Sequence, residues 1–468
     1  MIEKNEILTT SKALGLNPDT VEKDYVLGWL LQGINQHPVI NTWAFKGGTS
    51  LKKCFFETFR FSEDLDYTLV DNDQLNIEFL KKTFAEIIES LSEHVGIDFF
   101  PGELKFKIID KANGSFSAQG KIPYNGPLRR TRGVATIKLD LTTDEVLVLE
   151  TVVKRVHHPY SDEPENGIHA KCYAFEEVVA EKIRALAQRI RPRDLYDVIH
   201  FFRNRSMIEN PRLVLSVLDK KCQFKNIGMP TFQGIEQHEK LDELEPQWEH
   251  MLAHQLSALP PMETFWQDLE PFFDWLEGHL QVNELAQSSR VTGQVFQAGR
   301  FSGRGDTPAI LQKIQFGAAN RVCIKLVYSG KERVVEPLSF RTSEGTGNKL
   351  FYGYEREAGH VKAYTISKIE NVSVTNIPYT EKYPVEISPS GYISMPPLRR
   401  ASTGGISANR VPRSRRSANS AFGTVYKIQC PICQKTFGRK NYSDTIINKH
   451  KSPWGSQCSG SGRRGYHI

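Results

Sequence analysis

Two acidic residues in a short segment, preceded by a pair of glycines, limit what this chain can fold into more than any other feature. Lys46-Gly47-Gly48-Thr49 is followed, after a stretch of helical character, by Asp64-Leu65-Asp66. A β-strand places residues i and i+2 on one face, so Asp64 and Asp66 point together while Leu65 faces the core. Because Mg²⁺ binds one or two carboxylates together with phosphate oxygens, this strand predicts a metal site on an open sheet face.

The glycine pair predicts a phosphate site beside these carboxylates. Glycines that open a helix let backbone N–H groups approach a phosphate, and the helix N-terminus favours negative charge. Lys46, Gly47, Gly48 and Thr49 are therefore candidate ligands of a nucleoside triphosphate (NTP). An isolated glycine pair is usually a turn, and an isolated D-x-D segment is usually a solvated face. Their order along the chain favours the NTP site.

A third carboxylate lies on a later strand. The segment VATIKLDL, residues 134–141, alternates between an apolar face and a second face that carries Lys138 and Asp140. We expect Asp140 to join Asp64 and Asp66 in a two-metal site, which would stabilise the attacking and leaving oxygens of a phosphoryl transfer.

Hydrophobic periodicity predicts an α+β fold. Residues 1–205 alternate helical and strand patterns and end in two helices, at 174–190 and 193–203. Apolar residues at helical spacings predict a helical subdomain over residues 206–290. The Gly-rich residues 291–307 predict a linker.

Four segments carry a family signature: FKGGTSLKKCFFETFRFSEDLDYTL, VEKDYVL, FEEVVAEKIRALAQR and RPRDLYDVIHF. They resemble the AbiEii-type nucleotidyltransferases, toxins of bacterial abortive-infection and toxin–antitoxin systems within the DNA polymerase β-like superfamily. The resemblance covers about residues 5–285. It implies a catalytic domain with a polymerase β-like mixed sheet and helices, an NTP substrate and Mg²⁺.

The resemblance also implies roles for single positions. It assigns the triphosphate to the glycine loop and the metals to the D-x-D carboxylates, and it adds Lys182 and Asp194 as catalytic positions. From the residues alone, Lys182 beside an apolar helical stripe could be a solvated flank, and Asp194 could be a helix cap. In the functional interpretation Lys182 contacts the triphosphate or stabilises charge, and Asp194 pairs with Lys182 or Arg193 or polarises the acceptor. Arg189 and Arg193 are candidate phosphate ligands.

Residues 308–386 predict a small β-barrel from short β segments separated by turns. Two segments, AILQKIQFGAANRVCIKLVYSGKERVVEPLSFRT and YGYEREAGHVKAYTISKIENV, resemble the WYL domain, an SH3/Sm-like barrel of bacterial regulators and phage-defence proteins. Lys349-Leu350-Phe351 stands where the defining tripeptide would align. Arg333, Arg341 and Lys362 are candidate phosphate contacts, and a solvated barrel rim explains them equally well.

Charge is divided unevenly along the chain. Residues 387–468 contain 14 Lys and Arg against one acidic residue, Asp444, whereas residues 1–386 contain 46 basic and 53 acidic residues. The basic residues 387–424 are rich in Ser, Gly and Pro, which predicts a disordered linker. A basic tail on an acidic body predicts a nucleic-acid partner for the tail.

Residues 425–468 contain the pattern C-x2-C-x16-H-x7-C, formed by Cys430, Cys433, His450 and Cys458. Three thiolates and an imidazole predict a closed tetrahedral Zn²⁺ site, with His467 as an alternative fourth ligand. Basic and aromatic residues around it suit phosphate contacts and base stacking, although a purely structural knuckle is the alternative.

The N-terminus lacks the basic and apolar regions of a signal peptide, and the other cysteines are scattered. We therefore expect a cytoplasmic protein that does not associate with membranes.

These patterns predict a Mg²⁺-dependent nucleotidyltransferase that transfers a nucleoside monophosphate (NMP) from NTP to a nucleic acid. Family members that extend tRNA 3′ ends make tRNA the first acceptor to test. The protein would act as a toxin or phage-defence effector, with a cognate antitoxin as a further expected partner. Two alternatives remain: a transferase with a protein acceptor, and a nucleic-acid-binding regulator with an inactive transferase domain. The presence of all three carboxylates counts against the second.

Overall fold

The computed structural model describes most of the first 387 residues and short pieces of the rest. The described residues are 1–279 without 57–58, 111–114 and 131–132; 295–297; 307–387 without 343–347 and 384; 392–394; and 426–430, 432, 436–439, 446, 447, 450, 458, 464, 466 and 467. The chain divides into two compact units, residues 1–399 and residues 400–468. The expected disordered linker, 387–424, lies almost entirely outside the described residues, as does Cys433.

A mixed sheet forms the centre of the first 205 residues. Its eight strands are β1 (Ala44–Lys46), β2 (Asp64–Thr68), β3 (Asp98–Phe99), β4 (Lys105–Asp110), β5 (Phe116–Asn125), β6 (Ala135–Thr142), β7 (Val152–Val156) and β8 (Ile168–Cys172). Their order is β3-β5-β6-β2-β1-β8-β7, and β4 also pairs with β5. The pairs β2/β6 and β1/β8 are parallel and the others antiparallel. The predicted α+β class is confirmed.

Six helices accompany this sheet: α1 (Lys4–Leu14), α2 (Pro18–Gln36), α3 (Gly47–Ser50), which continues as a π-helical turn over Leu51–Phe55, α4 (Ile77–Val95), α5 (Phe175–Arg189) and α6 (Pro192–Arg203). Helix α4 is capped by Asn76, whose side chain accepts from the N–H groups of Glu78 and Phe79. Its apolar stripe packs on one face of the sheet, where Phe84 and Phe106 lie 5.5 Å apart between ring centroids. The opposite face therefore stays open at β4 and β5.

The remaining elements are helices followed by a second sheet. The helices are α7 (Pro211–Phe224), α8 (Phe232–Glu236), α9 (Leu244–Leu252), α10 (Met262–Trp266) and α11 (Leu269–Glu277), and the strand β9 (Val295–Gln297) follows. After α12 (Thr307–Asn320) come β10 (Val322–Tyr328), β11 (Lys331–Thr342), β12 (Lys349–Glu355), β13 (His360–Thr365) and β14 (Ile369–Pro378). These five strands form one antiparallel sheet in the order β13-β12-β11-β10-β14. Strand β15 (Tyr392–Ser394) pairs with β9, and the tail unit contains β16 (Tyr426–Gln429), β17 (Thr436–Arg439) and β18 (Tyr466–His467).

Most predicted elements of the first domain are present. Before the glycine pair, residues 38–42 form turns and only Ala44–Lys46 pair as a strand. Strand β8 of the first domain and helix α12, which precedes the second sheet, were not predicted from the sequence. Within the described ranges, no helix combines the length and apolar character needed to cross a bilayer.

Candidate active site

The three predicted carboxylates meet on two neighbouring strands. Strands β2 and β6 pair in parallel, with Asp66 opposite Asp140 and Asp64 opposite Lys138. Burial raises the pKa of Asp66 to about 6, and the nearby Asp140 and Asp64 carboxylates contribute to that rise. Burial also raises the pKa of Asp64. Crowded, partly desolvated carboxylates of this kind are stabilised by a cation, and hard oxygen donors suit Mg²⁺.

The glycine pair provides close approach beside these carboxylates. Gly47 has a φ of +77°, and a Cβ added there would lie 2.1 Å from Oδ2 of Asp66. A Cβ on Gly48 would lie 2.8 Å from a guanidinium nitrogen of Arg60. Gly47 is thus required for both backbone conformation and space, and Gly48 for space. Thr49 has a different position: it is buried, and its hydroxyl donates to the Asp64 carbonyl oxygen at 2.5 Å, which holds β2 against α3.

A group of cations from α5 and α6 faces the carboxylates. Lys182 Nζ lies 2.8 Å from Oδ2 of Asp197 and 3.5 Å from Oδ1 of Asp194. Arg189 donates to both oxygens of Asp194, at 2.6 and 2.8 Å. Burial alone would raise the pKa of Asp194, but Lys182 and Arg189 outweigh it and lower that pKa. Asp194 is fully buried, so it holds the two cations in position and is not an exposed helix cap.

Arg60 is a site residue that the sequence analysis did not single out. It donates to both carboxylate oxygens of Asp197, at 2.7 and 2.8 Å, and to Oε1 of Gln255 at 2.9 Å. Arg60 and Asp197 are both buried. Arg60 therefore ties the segment leading into β2 to α6, close to Lys182. Its place four residues before Asp64 was the only signal in the sequence.

Glu181 is a second such residue. Its Oε1 accepts a hydrogen bond from Lys46 Nζ at 3.1 Å. Burial alone would raise the pKa of Glu181, but Lys46, Lys221 and Arg184 surround the carboxylate and lower that pKa to about 2. Lys46, a predicted triphosphate ligand, is thus already paired with a carboxylate. The position of Glu181 next to Lys182 on α5 is visible in the sequence. Helical periodicity alone, however, does not identify Lys46, 135 residues away, as its partner.

One cavity of about 650 Å³ brings these groups together. This volume is in the range of small-molecule sites. Its lining includes every predicted site residue of the catalytic domain except Thr49, which supports the wall from behind: Lys46, Gly47, Gly48, Asp64, Asp66, Asp140, Lys182, Arg189, Arg193 and Asp194. Carboxylates on the sheet thus face cations on the helices across a space large enough for a nucleotide.

In the tail unit, three of the predicted zinc ligands converge. The ligand atoms of Cys430, His450 and Cys458 all lie within 4.8 Å of one another, and the two Sγ atoms are 3.9 Å apart. Tetrahedral Zn²⁺ with Zn–S bonds of about 2.3 Å would place two sulfurs roughly 3.8 Å apart, so the donor set and its spacing fit zinc. Cys433 lies outside the described residues, and His467 belongs to β18, which pairs with β16.

The three candidate phosphate contacts of the second sheet are all engaged in ion pairs. Arg333 and Lys362 pair with Glu355 at 3.2 and 3.0 Å, and Arg341 pairs with Glu386 at 2.7 Å. These pairs favour the structural explanation of a charged sheet surface.

A mixed sheet that holds carboxylates on two adjacent strands, opposite a cationic wall of helices, defines this protein as a nucleotidyltransferase. Residues 29–277, just over half of the chain, match the family model described as the nucleotidyl transferase AbiEii toxin of type IV toxin–antitoxin systems, and the chain belongs to this family. Membership implies an NTP substrate, a divalent metal and a cognate antitoxin.

Solved structures similar to this chain include MenT4 and JHP933. MenT4, a nucleotidyltransferase toxin from Mycobacterium tuberculosis, is 18% identical with a TM-score of 0.41, covering 61% of this chain and 93% of its own. JHP933 from Helicobacter pylori is 16% identical with a TM-score of 0.38, covering 58% of this chain and 97% of its own. Both likenesses are too weak to bear on substrate or acceptor. Among curated proteins no relative matches.

Proposed function

We propose that this protein transfers an NMP from NTP to a nucleic-acid acceptor in a Mg²⁺-dependent reaction, with RNA as the acceptor and tRNA as the first RNA to test. The observation that carries the proposal is the single cavity in which three carboxylates face Lys182, Arg189 and Arg193. Phosphoryl transfer depends on positioning and charge stabilisation, and this cavity offers both signs of charge across one nucleotide-sized space.

In this proposal Asp64, Asp66 and Asp140 hold the metal, which when bound neutralises charge on the triphosphate and on the leaving oxygen. Lys182 and Arg189 contact the triphosphate, and Asp194 fixes both cations. Gly47 and Gly48 leave room for the phosphates beside β2.

The transfer itself is an in-line displacement. The acceptor hydroxyl oxygen forms a bond to the α-phosphorus, the bond to the bridging oxygen breaks, and pyrophosphate leaves. Asp140 accepts the hydroxyl proton. Its position opposite Asp66 on the parallel strand β6 supports this role.

The assay uses full-length protein, Mg²⁺, each α-labelled NTP in turn and total RNA, resolved on RNA and protein gels. We expect label in RNA with at least one NTP and no label after EDTA is added, because the carboxylates then lack their metal. Label on protein in place of RNA would assign a protein acceptor. Label on neither would refute the proposal.

We also propose that residues 425–468 form a zinc-binding RNA module, with Cys430, His450 and Cys458 as three ligands and Cys433 as the fourth. The convergence of three ligand atoms supports the metal, and the excess of basic residues supports RNA. Because so short a segment buries little core, the metal would supply much of its folding free energy.

Metal analysis and RNA binding together test this module. We expect about one zinc per chain by mass spectrometry, and loss of both zinc and most RNA affinity in Cys430→Ser/Cys458→Ser. Cys323→Ser, at a buried cysteine of β10, is the matched control and should keep its zinc. A full zinc content in the double variant would contradict the ligand assignment. If the double variant lost its zinc but kept its RNA affinity, the metal would have only a structural role. The proposed RNA-binding role of residues 425–468 would then be overturned.

For the whole chain we propose six parts: a catalytic domain (1–205), a helical subdomain (206–290), a linker (291–307), a WYL-like β module (308–386), a basic linker (387–424) and the zinc module (425–468). The family match, which spans the first two parts, supports treating them together as the transferase.

We further propose that the transferase acts as a growth-arresting toxin or phage-defence effector, consistent with its family.

A further inference from the structure

An exposed row of lysines crosses the mixed sheet and ends at the active-site carboxylates. Lys105 on β4 lies opposite Lys121 on β5, and Lys121 lies opposite Lys138 on β6. Lys138 in turn lies opposite Asp64 on β2. Lys107, two residues along β4 from Lys105, belongs to the same face. We call Lys105, Lys107, Lys121 and Lys138 the lysine face.

The strand pattern explains why this face is open. All four lysines are exposed, while the residues that alternate with them, including Phe106, Gly120 and Leu139, are buried. Helix α4 covers the buried side through the contact of Phe84 with Phe106. The lysines therefore lie on the side of the sheet that carries the carboxylates, and α4 lies on the other.

These lysines are poorly balanced by carboxylates. Within the described part of the chain, Lys105, Lys107 and Lys121 form no ion pair, although acidic residues outnumber basic ones over residues 1–386. Like charges directly opposite each other on paired strands are destabilising. A polyanion lying along the row would relieve the repulsion between the lysines.

We propose that the lysine face binds the phosphate backbone of a single-stranded end of the nucleic-acid acceptor and leads its terminal hydroxyl to the carboxylates. The inference rests on the proposed function and names the path of the acceptor, separate from the zinc module. Strands about 4.8 Å apart give the row a span of roughly 14 Å. At about 3.4 Å per nucleotide this accommodates about four stacked nucleotides. Charge complementarity and continuity with the cavity both favour this occupant.

Steady-state kinetics of full-length Lys105→Gln/Lys121→Gln test the proposal. We expect the KM for RNA to rise about tenfold. The slope of log KM against log salt concentration should also decrease by about 1.4, because each lost contact to a single strand removes about 0.7 from that slope. The KM for NTP should not change. The matched control is Lys81→Gln/Lys82→Gln, which removes two exposed lysines from α4 on the opposite side. Equal effects in both variants, or none in the first, would overturn the proposal.

Lysine acylation followed by mass spectrometry gives a readout that does not need turnover. With RNA present, we expect slower acylation of Lys105, Lys107 and Lys121 and unchanged acylation of Lys81 and Lys82. If the wild-type protein labels no RNA, the proposed function fails, and the protection pattern still decides whether RNA lies on this face. Equal acylation with and without RNA would exclude the lysine face as the acceptor path even in an active transferase.

Discussion

Asp66→Asn should lower the rate of NMP transfer by at least about a thousandfold. Asp66 lies opposite Asp140 on the parallel strand, its Oδ2 faces Gly47, and burial raises its pKa to about 6. Asparagine keeps the shape but removes the charge that would hold the metal, and losing several kcal/mol of transition-state stabilisation corresponds to a rate loss of this size. Single-turnover labelling of RNA measures it.

The same variant should fold at least as well as the wild type. Burial raises the pKa of Asp66 to about 6, so the ionised carboxylate disfavours the folded state above that pH when no metal is bound. Removing the charge removes this cost, and we expect an equal or higher Tm at neutral pH without Mg²⁺. Asp242→Asn, at an exposed carboxylate outside the cavity, should change neither activity nor Tm. A loss of activity together with a lower Tm would indicate a structural role for Asp66. A variant that kept more than a tenth of the wild-type transfer rate would contradict the role of Asp66 in the site.

Asp197→Ala should destabilise the catalytic domain by about 3–5 kcal/mol. Asp197 is the shared partner of Arg60 and Lys182, with contacts of 2.7 and 2.8 Å, and all three side chains are buried. Removing one partner of a buried ion pair leaves uncompensated charge in the interior, which is far more costly than breaking an exposed pair. The midpoint of urea unfolding, followed by tryptophan fluorescence, measures the change.

The matched control breaks an exposed pair. Glu163→Ala removes the partner of Arg155 at 2.9 Å, where the side chains are 27% and 48% exposed, and should cost less than about 1 kcal/mol. Adding Arg60→Met to Asp197→Ala should restore part of the lost stability, because one buried cation is then gone. A cost for Asp197→Ala no larger than that of Glu163→Ala would show that the buried network does not stabilise the fold.

The effect of Asp197→Ala should also depend on pH. Burial raises the pKa of Asp197, but Arg60 and Lys182 outweigh it and lower that pKa below its usual value in the folded protein. A carboxylate with a lowered folded-state pKa contributes stability above its unfolded pKa and loses it as the pH falls. The difference between wild type and variant should therefore shrink below about pH 4. A difference that stayed constant to pH 2 would contradict the ion-pair explanation.

The grouping of the candidate carboxylates on one face was predictable because it depends on short-range periodicity. Alternation along a strand is enough to put Asp64 and Asp66 on one face, and it also separates Asp140 from the apolar residues around it. The glycine pair was predictable for a similar reason, since close approach and positive φ restrict a position to glycine whatever surrounds it. The Cys/His pattern of the tail was visible as spacing, and the ligand atoms of three of its four proposed zinc ligands converge.

What the tertiary structure alone decided is which distant groups meet. The parallel pairing of β2 with β6 puts Asp66 opposite Asp140 and continues the row of lysines from β4 to the carboxylates. Arg60 meets Asp197 across 137 residues, so neither residue's local pattern identifies the other. Periodicity reports which face a side chain occupies within one element, but strand register and helix docking are set by packing of the whole core. For this reason the sequence determined the residues that we propose to bind metal and phosphate, and only the fold determined how their charges are balanced and which exposed lysines adjoin them.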